Sequence, residues 1–207
     1  MNAIVKEFPG QEGTFYRTNL PEPVPGPGQV KIKVMAASIC ASDIHALYNG
    51  LMADRYRYPV IIGHEGAGVV VEVGEGVEDI RVGDRVTAET TLTSCGTCEY
   101  CRKGETNMCA SRKGLGSAAD GYFANYCIAS AKYCHKLADD LSFEEGALAE
   151  PFACVVHAVC NLTHPMAGDL VLVVGPGPMG QMVAALAKAS GCVVVISGIN
   201  GDEERLR

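Results

Sequence analysis

The chain has 207 residues, with 17 basic and 24 acidic side chains and a net charge of −7 with His neutral. That length holds one large domain or one and a half, and 48% hydrophobic with 20% charged residues is the balance of a folded globular chain. The acidic balance argues against a nucleic-acid binder, which needs a basic face. No apolar run approaches the roughly 18–20 residues that span a bilayer. The start, Met1-Asn2-Ala3-Ile4-Val5-Lys6-Glu7, lacks the pattern of a secretory signal. The expected setting is therefore cytoplasmic, with no nucleic acid or membrane as partner.

Residues 1–90 read as β structure. Val30-Lys31-Ile32-Lys33-Val34 alternates apolar and polar, the period of a half-buried strand. Pro21 to Gly28 is a proline- and glycine-rich extended connector. Val69 to Val73 is a second strand closed by Gly74-Glu75-Gly76, and Ile80 to Val86 is a turn entering a third. Several short strands with Gly-rich turns suggest a small barrel or sandwich. Residues 91–117 hold four cysteines and few large apolar side chains, so a metal or disulfides must hold this lobe. Strand-like texture returns over 118–140, and Tyr122 and Phe123, with Tyr48 and Tyr56, are candidates for pocket lining or for ordinary packing.

From residue 141 the pattern changes to α/β. Ser142-Phe143-Glu144-Glu145 has capping-box character. Pro151 suits the first turn of a helix running to about Cys160. Asp169 to Val174 reads as a buried parallel strand, Met179 to Ser190 as a helix, and Val193 to Ile196 as the next strand. This divides the chain into a β-rich domain over 1–150 and the first βαβ of a doubly wound domain over 151–207.

Gly175-Pro176-Gly177-Pro178-Met179-Gly180 is G-x-G-x-x-G between that strand and that helix, the context in which the motif holds a dinucleotide. The glycines allow a tight turn and close approach of a pyrophosphate, which the helix N-terminus attracts. Pro178 has no N–H, so Met179 and Gly180 are the expected donors. Strand two ends at Ser197-Gly198 without the acid that would bind the ribose hydroxyls of NAD. The sequence leaves NAD and NADP open and leans towards NADP, with Arg205 as a candidate phosphate partner.

Ten cysteines and 24 glycines are both unusual counts; an average chain of this size has about 14 glycines. Cys95, Cys98, Cys101 and Cys109 form C-x2-C-x2-C-x7-C. Four thiolates with no open position make a structural zinc site. An iron–sulfur cluster is the main alternative, although the ferredoxin run continues differently. Cys127, Cys134, Cys160 and Cys192 show no ligand spacing and are expected to be buried. Three pieces remain: Cys40-Ala41-Ser42-Asp43-Ile44-His45, Gly63-His64-Glu65-Gly66-Ala67-Gly68, and Ala149-Glu150-Pro151. Each alone has a structural reading, as core, satisfied polar group or helix-start acid.

Together they resemble a known family. Gly63 to Val77 fits G-H-E-x2-G-x5-G-x2-V, the signature of zinc-containing alcohol dehydrogenases of the medium-chain superfamily. Cys40, Ser42 and His45, the cysteine lobe, Glu150-Pro151 and the dinucleotide turn follow in that family's order, and the chain looks most like its polyol (sorbitol-type) and threonine dehydrogenases. The resemblance implies a GroES-like catalytic domain and two zinc ions per chain. It implies Cys40, His64 and Glu150 at the catalytic ion, directly or through water, and Glu65 able to enter its shell. It implies Ser42 at the substrate hydroxyl, His45 as the next group in a proton relay, Asp43 behind His64, and Cys95, Cys98, Cys101 and Cys109 at the structural ion. The activity implied is hydride transfer between a secondary alcohol, such as a polyol, and NAD or NADP. Family members are longer, so the 207 residues are expected to be an incomplete enzyme, weakly active or inactive alone, from a full-length homo-oligomer. The competing reading is a non-catalytic zinc-stabilised GroES-like binding module; a zinc-free quinone-reductase type would lack the G-H-E turn and the cysteine lobe.

Overall fold

A computed structural model describes residues 1–48 and 55–207. The chain divides into two compact units, Met1–Leu148 and Ala149–Arg207.

The first unit is built on two antiparallel sheets. One has five strands: β3 (Gln29–Ser38), β5 (Glu65–Val73), β6 (Arg85–Ala88), β9 (Tyr126–Ser130) and β10 (Cys134–Lys136), in the order β10-β6-β5-β3-β9. The other is β2-β1-β4, from β1 (Ala3–Lys6), β2 (Thr14–Arg17) and β4 (Val60–Ile61). The alternation seen in the sequence sets the inward face. Val30 and Ile32 of β3 pack with Val70, Ile80, Val86, Ala88 and Ala129 in one apolar cluster, while Lys33 points outward. Two irregularities in the β3–β5 pairing, after Lys31 and after Val34, carry β3 on to Ser38, which lies opposite Glu65.

A helix, α1 (Ala41–Tyr48), interrupts the region expected to be all β. Its start has a local cause that the sequence reading missed. The Asp43 carboxylate accepts the Cys40 backbone N–H at 3.1 Å, and the Asp43 N–H returns to the Cys40 carbonyl at 3.0 Å. An acid three residues into the helix thus satisfies the N–H at its start, as in half of a capping box. Cys40 in place of Ser or Thr at the cap hid the signal.

In the cysteine lobe, β7 (Thr91–Thr93) pairs with β8 (Lys113–Gly114), and the short helix α2 (Glu99–Arg102) begins just after Cys98. Helix α3 (Phe143–Ala147) closes the unit with the expected capping box, Ser142 and Glu145 each bonding the other's backbone N–H.

The second unit holds α4 (Ala149–Val156), which runs on as π-helical turns over His157–Thr163, past the expected end at Cys160. Strand β11 (Leu170–Val174), helix α5 (Pro178–Ala189) and strand β12 (Val193–Ser197) form a parallel βαβ unit in which Leu170 faces Val193 and Val174 faces Ser197. Cys127 and Cys192 are buried as expected and Cys134 partly so, but Cys160 is exposed: the π-helical turn presents it to solvent instead of to the core. Among the described residues no helix is long and apolar enough to cross a membrane.

Candidate active site

The signature Gly63-His64-Glu65-Gly66-Ala67-Gly68 spans the gap between β4 and the start of β5, and its glycines are demanded by what lies against them. Gly63 has φ +89, and a Cβ there would sit 2.4 Å from the Phe123 ring. At Gly66 it would sit 2.4 Å from the Tyr122 ring, and at Gly68 2.1 Å from the Lys33 carbonyl oxygen. The rings and the neighbouring strand therefore fix the backbone on both sides of His64 and Glu65. Tyr122, 1% exposed, is a packing residue rather than a pocket wall, and Tyr48 is exposed. Tyr56 belongs beside the site: burial first, then the Asp43 carboxylate, pushes its hydroxyl up to about 12.

Cys40, His64 and Glu65 come together, each offering one ligand atom, all within 4.8 Å of one another. Asp43 stands behind them, 1% exposed. While one oxygen caps helix α1, the other lies 3.4 Å from His64 Nδ1. That contact is long for a hydrogen bond, and Oδ1 has no better partner among the described residues. It sets which nitrogen of the imidazole is occupied: Nδ1 turns to Asp43 and Nε2 is the nitrogen that could take an ion. Burial opposes charge on His64, but Asp43 and then Cys40 outweigh it and raise its pKa to about 9. A thiol, an imidazole and a carboxylate crowded together, with an acid holding the imidazole from behind, form a donor set suited to a divalent ion.

The cysteine lobe forms a second cluster. The Cys95, Cys98, Cys101 and Cys109 sulfurs lie within 4.8 Å of one another. A tetrahedral ion with metal–sulfur bonds of about 2.3 Å needs sulfurs about 3.8 Å apart, and Cys95 and Cys101 stand at 3.9 Å. Backbone N–H groups already point at these sulfurs: Cys98 N–H at Cys95 (3.3 Å) and Cys95 N–H at Cys109 (3.4 Å). The backbone N–H groups of Thr97 and Cys98 pull the Cys95 thiol down to about 5, the state a ligand needs. Among the described residues none of the ten cysteines is in a disulfide.

Ser42 and His45 lie three residues apart on α1, so they share one side of the helix; Ser42 is half-buried and His45 exposed. Glu150 stands in the first turn of α4, in the second unit.

In the second unit the G-x-G-x-x-G turn has the shape its sequence implies. Gly175 has φ +99. A Cβ on Gly180 would meet the Gly175 carbonyl at 2.0 Å, so the helix can approach the strand only with glycine there. A Cβ on Gly177 would meet nothing within 4 Å, so this glycine faces open space beside the N-terminus of α5. Pro178 opens that helix, and Met179 and Gly180 follow in its first turn. At the end of β12 the loop differs from the sequence expectation of a missing acid. Asp202 folds back against Gly198, whose Cβ would lie 2.9 Å from its Oδ2. It accepts the Ile199 N–H at 3.1 Å and pairs with Arg205 at 3.3 Å. The turn of chain brings a carboxylate to the strand end and pairs it with the exposed Arg205, the candidate phosphate partner.

The model of the alcohol dehydrogenase GroES-like domain matches residues 26–139. The chain belongs to this family, the zinc-containing medium-chain alcohol dehydrogenases. It is 46% identical over 207 residues to a sorbitol dehydrogenase of Halalkalibacterium halodurans, all of this chain against 59% of that one. It is 43% identical over 197 residues to an L-threonine 3-dehydrogenase of Thermococcus kodakarensis, 95% of this chain and 55% of that one. Among solved structures, one described as a zinc-binding dehydrogenase from Sinorhizobium meliloti 1021, bound to NADP, matches with a TM-score of 0.87 and 34% identity, over 99% of this chain and 58% of the other. The chain thus spans under three-fifths of the length of these relatives.

Proposed function

We propose that this chain carries the alcohol-binding and proton-handling part of a zinc- and NAD(P)-dependent dehydrogenase acting on a secondary alcohol of the polyol class or a related small hydroxylated metabolite. The observation that carries the reading is the convergence of Cys40, His64 and Glu65 with Asp43 behind the imidazole. The 46% identity to a sorbitol dehydrogenase supports the polyol class, and the match to an L-threonine 3-dehydrogenase supports a hydroxy amino acid within the same secondary-alcohol chemistry. When bound, zinc supplies a Lewis acid at the alcohol oxygen and NAD(P) a hydride acceptor.

Cys40 and His64 would hold the ion, and Glu65 would complete or leave its shell. Asp43 fixes the His64 tautomer. Ser42 Oγ takes the alcohol proton and passes it to the His45 imidazole, whose exposure opens the route to solvent. Cys95, Cys98, Cys101 and Cys109 would hold a second, structural ion. Gly175, Gly177, Met179 and Gly180 would receive the pyrophosphate, and Ser197 and Arg205 would serve the adenosine ribose. The dinucleotide is NAD or NADP; Asp202 returns to the strand end and pairs with Arg205 at the surface.

Elemental analysis of protein purified without added metal tests the reading. Two zinc ions per chain are expected, and Cys40→Ser with His64→Ala should leave one. A single ion in the unmodified chain would confine metal to the cysteine lobe and favour a zinc-stabilised binding module.

A further inference from the structure

We propose that Ser38 is a positioning residue that holds the Glu65 carboxylate towards Cys40 and His64 as an ion ligand. The inference rests on the reading of those three side chains as a metal site. Ser38 ends strand β3 and is the register partner of Glu65, the first residue of β5. Side chains of such a pair stand on the same face of the sheet within reach of each other. The Ser38 hydroxyl donates to Glu65 Oε2.

Glu65 is 5% exposed, and a carboxylate this far from water requires a donor. A serine has one proton to give. The Ala147 carbonyl lies 3.5 Å from the same hydroxyl, at the limit of a hydrogen bond, so the hydroxyl donates to the carboxylate and the carbonyl is the weaker acceptor. The donor cluster of Cys40, His64 and Glu65 exists with this bond in place, so the bond orients the carboxylate for the ion rather than withdrawing it. A ligating carboxylate held by a hydroxyl behind it is the arrangement that fixes ligand direction in metal sites.

The test uses the whole 207-residue chain as zinc and cobalt(II) forms, comparing the unmodified protein with Ser38→Ala and Ser38→Thr. Metal transfer to a coloured chelator is followed together with the visible cobalt bands. The ion of the cysteine lobe serves as an internal control. The expected result for Ser38→Ala is about 10–100-fold weaker retention of one ion, with shifted cobalt bands from that site and unchanged behaviour of the lobe ion. Ser38→Thr, which keeps the hydroxyl, should restore both readouts. An unmodified chain that takes two ions and a Ser38→Ala variant that matches it would overturn the role of Ser38 while leaving the metal site standing. Loss of both ions in Ser38→Ala, or failure of Ser38→Thr to rescue, would overturn it by showing a role in folding rather than in ligand orientation. An unmodified chain that takes one ion would overturn the metal reading and this inference together.

Discussion

Asp43 is the residue on which the candidate site turns, because its two oxygens serve two tasks at once: one satisfies the first N–H of α1, the other faces His64 Nδ1. Asparagine can keep the cap with its oxygen but offers the imidazole an NH2 donor, which favours the tautomer with the proton on Nε2. Asp43→Asn should therefore keep the helix start but lower metal affinity at that site by about 10–100-fold with the lobe ion unaffected. Competition with a chelator measures this, and equal affinity in the variant would remove Asp43 from the site. Cys40 and His64 were recognisable from their motifs. Ser38 was not, because its meaning comes from the strand opposite, and a one-residue shift in register would have placed another side chain against Glu65.

Two elements show how local sequence sets behaviour. The capping box of α3 is exposed, and the Ser142 backbone N–H, then its hydroxyl, holds the Glu145 carboxyl below its ordinary value. A depressed carboxyl pKa stabilises the fold above the unfolded value of about 4.3 and loses that contribution as pH falls through the folded value. The melting temperature of Glu145→Gln should accordingly fall less than that of the unmodified chain between neutral and acid pH. Parallel melting curves at both pH values would count against the cap. The dinucleotide turn separates its glycines by role in the same way. Gly177→Ala adds a methyl to open space and should leave the melting temperature unchanged while weakening dinucleotide binding. Gly180→Ala adds it 2.0 Å from a backbone oxygen and should destabilise the second unit itself. Calorimetry with and without NAD(P) distinguishes the two, and equal effects on stability would refute the division.

At the scale of the molecule, the second unit has one well-covered sheet face and one bare one. Val173 is buried, while Leu170, Leu172, Val174, Val193 and Val195 are all exposed, Val174 at 82%. Five aliphatic side chains on a two-stranded parallel sheet are more apolar surface than a stable βαβ unit presents to water. The chain should bind a hydrophobic dye and aggregate with rising concentration. Leu172→Lys with Val195→Lys should reduce both without lowering the melting temperature. Dye binding that does not change in the double variant would place the apolar surface elsewhere.

The sequence by itself determined the donor chemistry, the order of the motifs, the α/β change after residue 141 and the resemblance that names the family. Those are matters of residue type and short spacing, which lie along the chain. Tertiary structure decided three things that distance along the chain conceals. It placed Ser38 opposite Glu65, a matter of strand register. It returned Asp202 to the end of β12 and paired it with Arg205, a matter of loop path. It set Tyr122 and Phe123 against the signature glycines, a matter of packing between segments more than 50 residues apart. Each depends on where a second segment comes to rest, and free energy gained by burial and hydrogen bonding across the fold, not local preference, fixes that position.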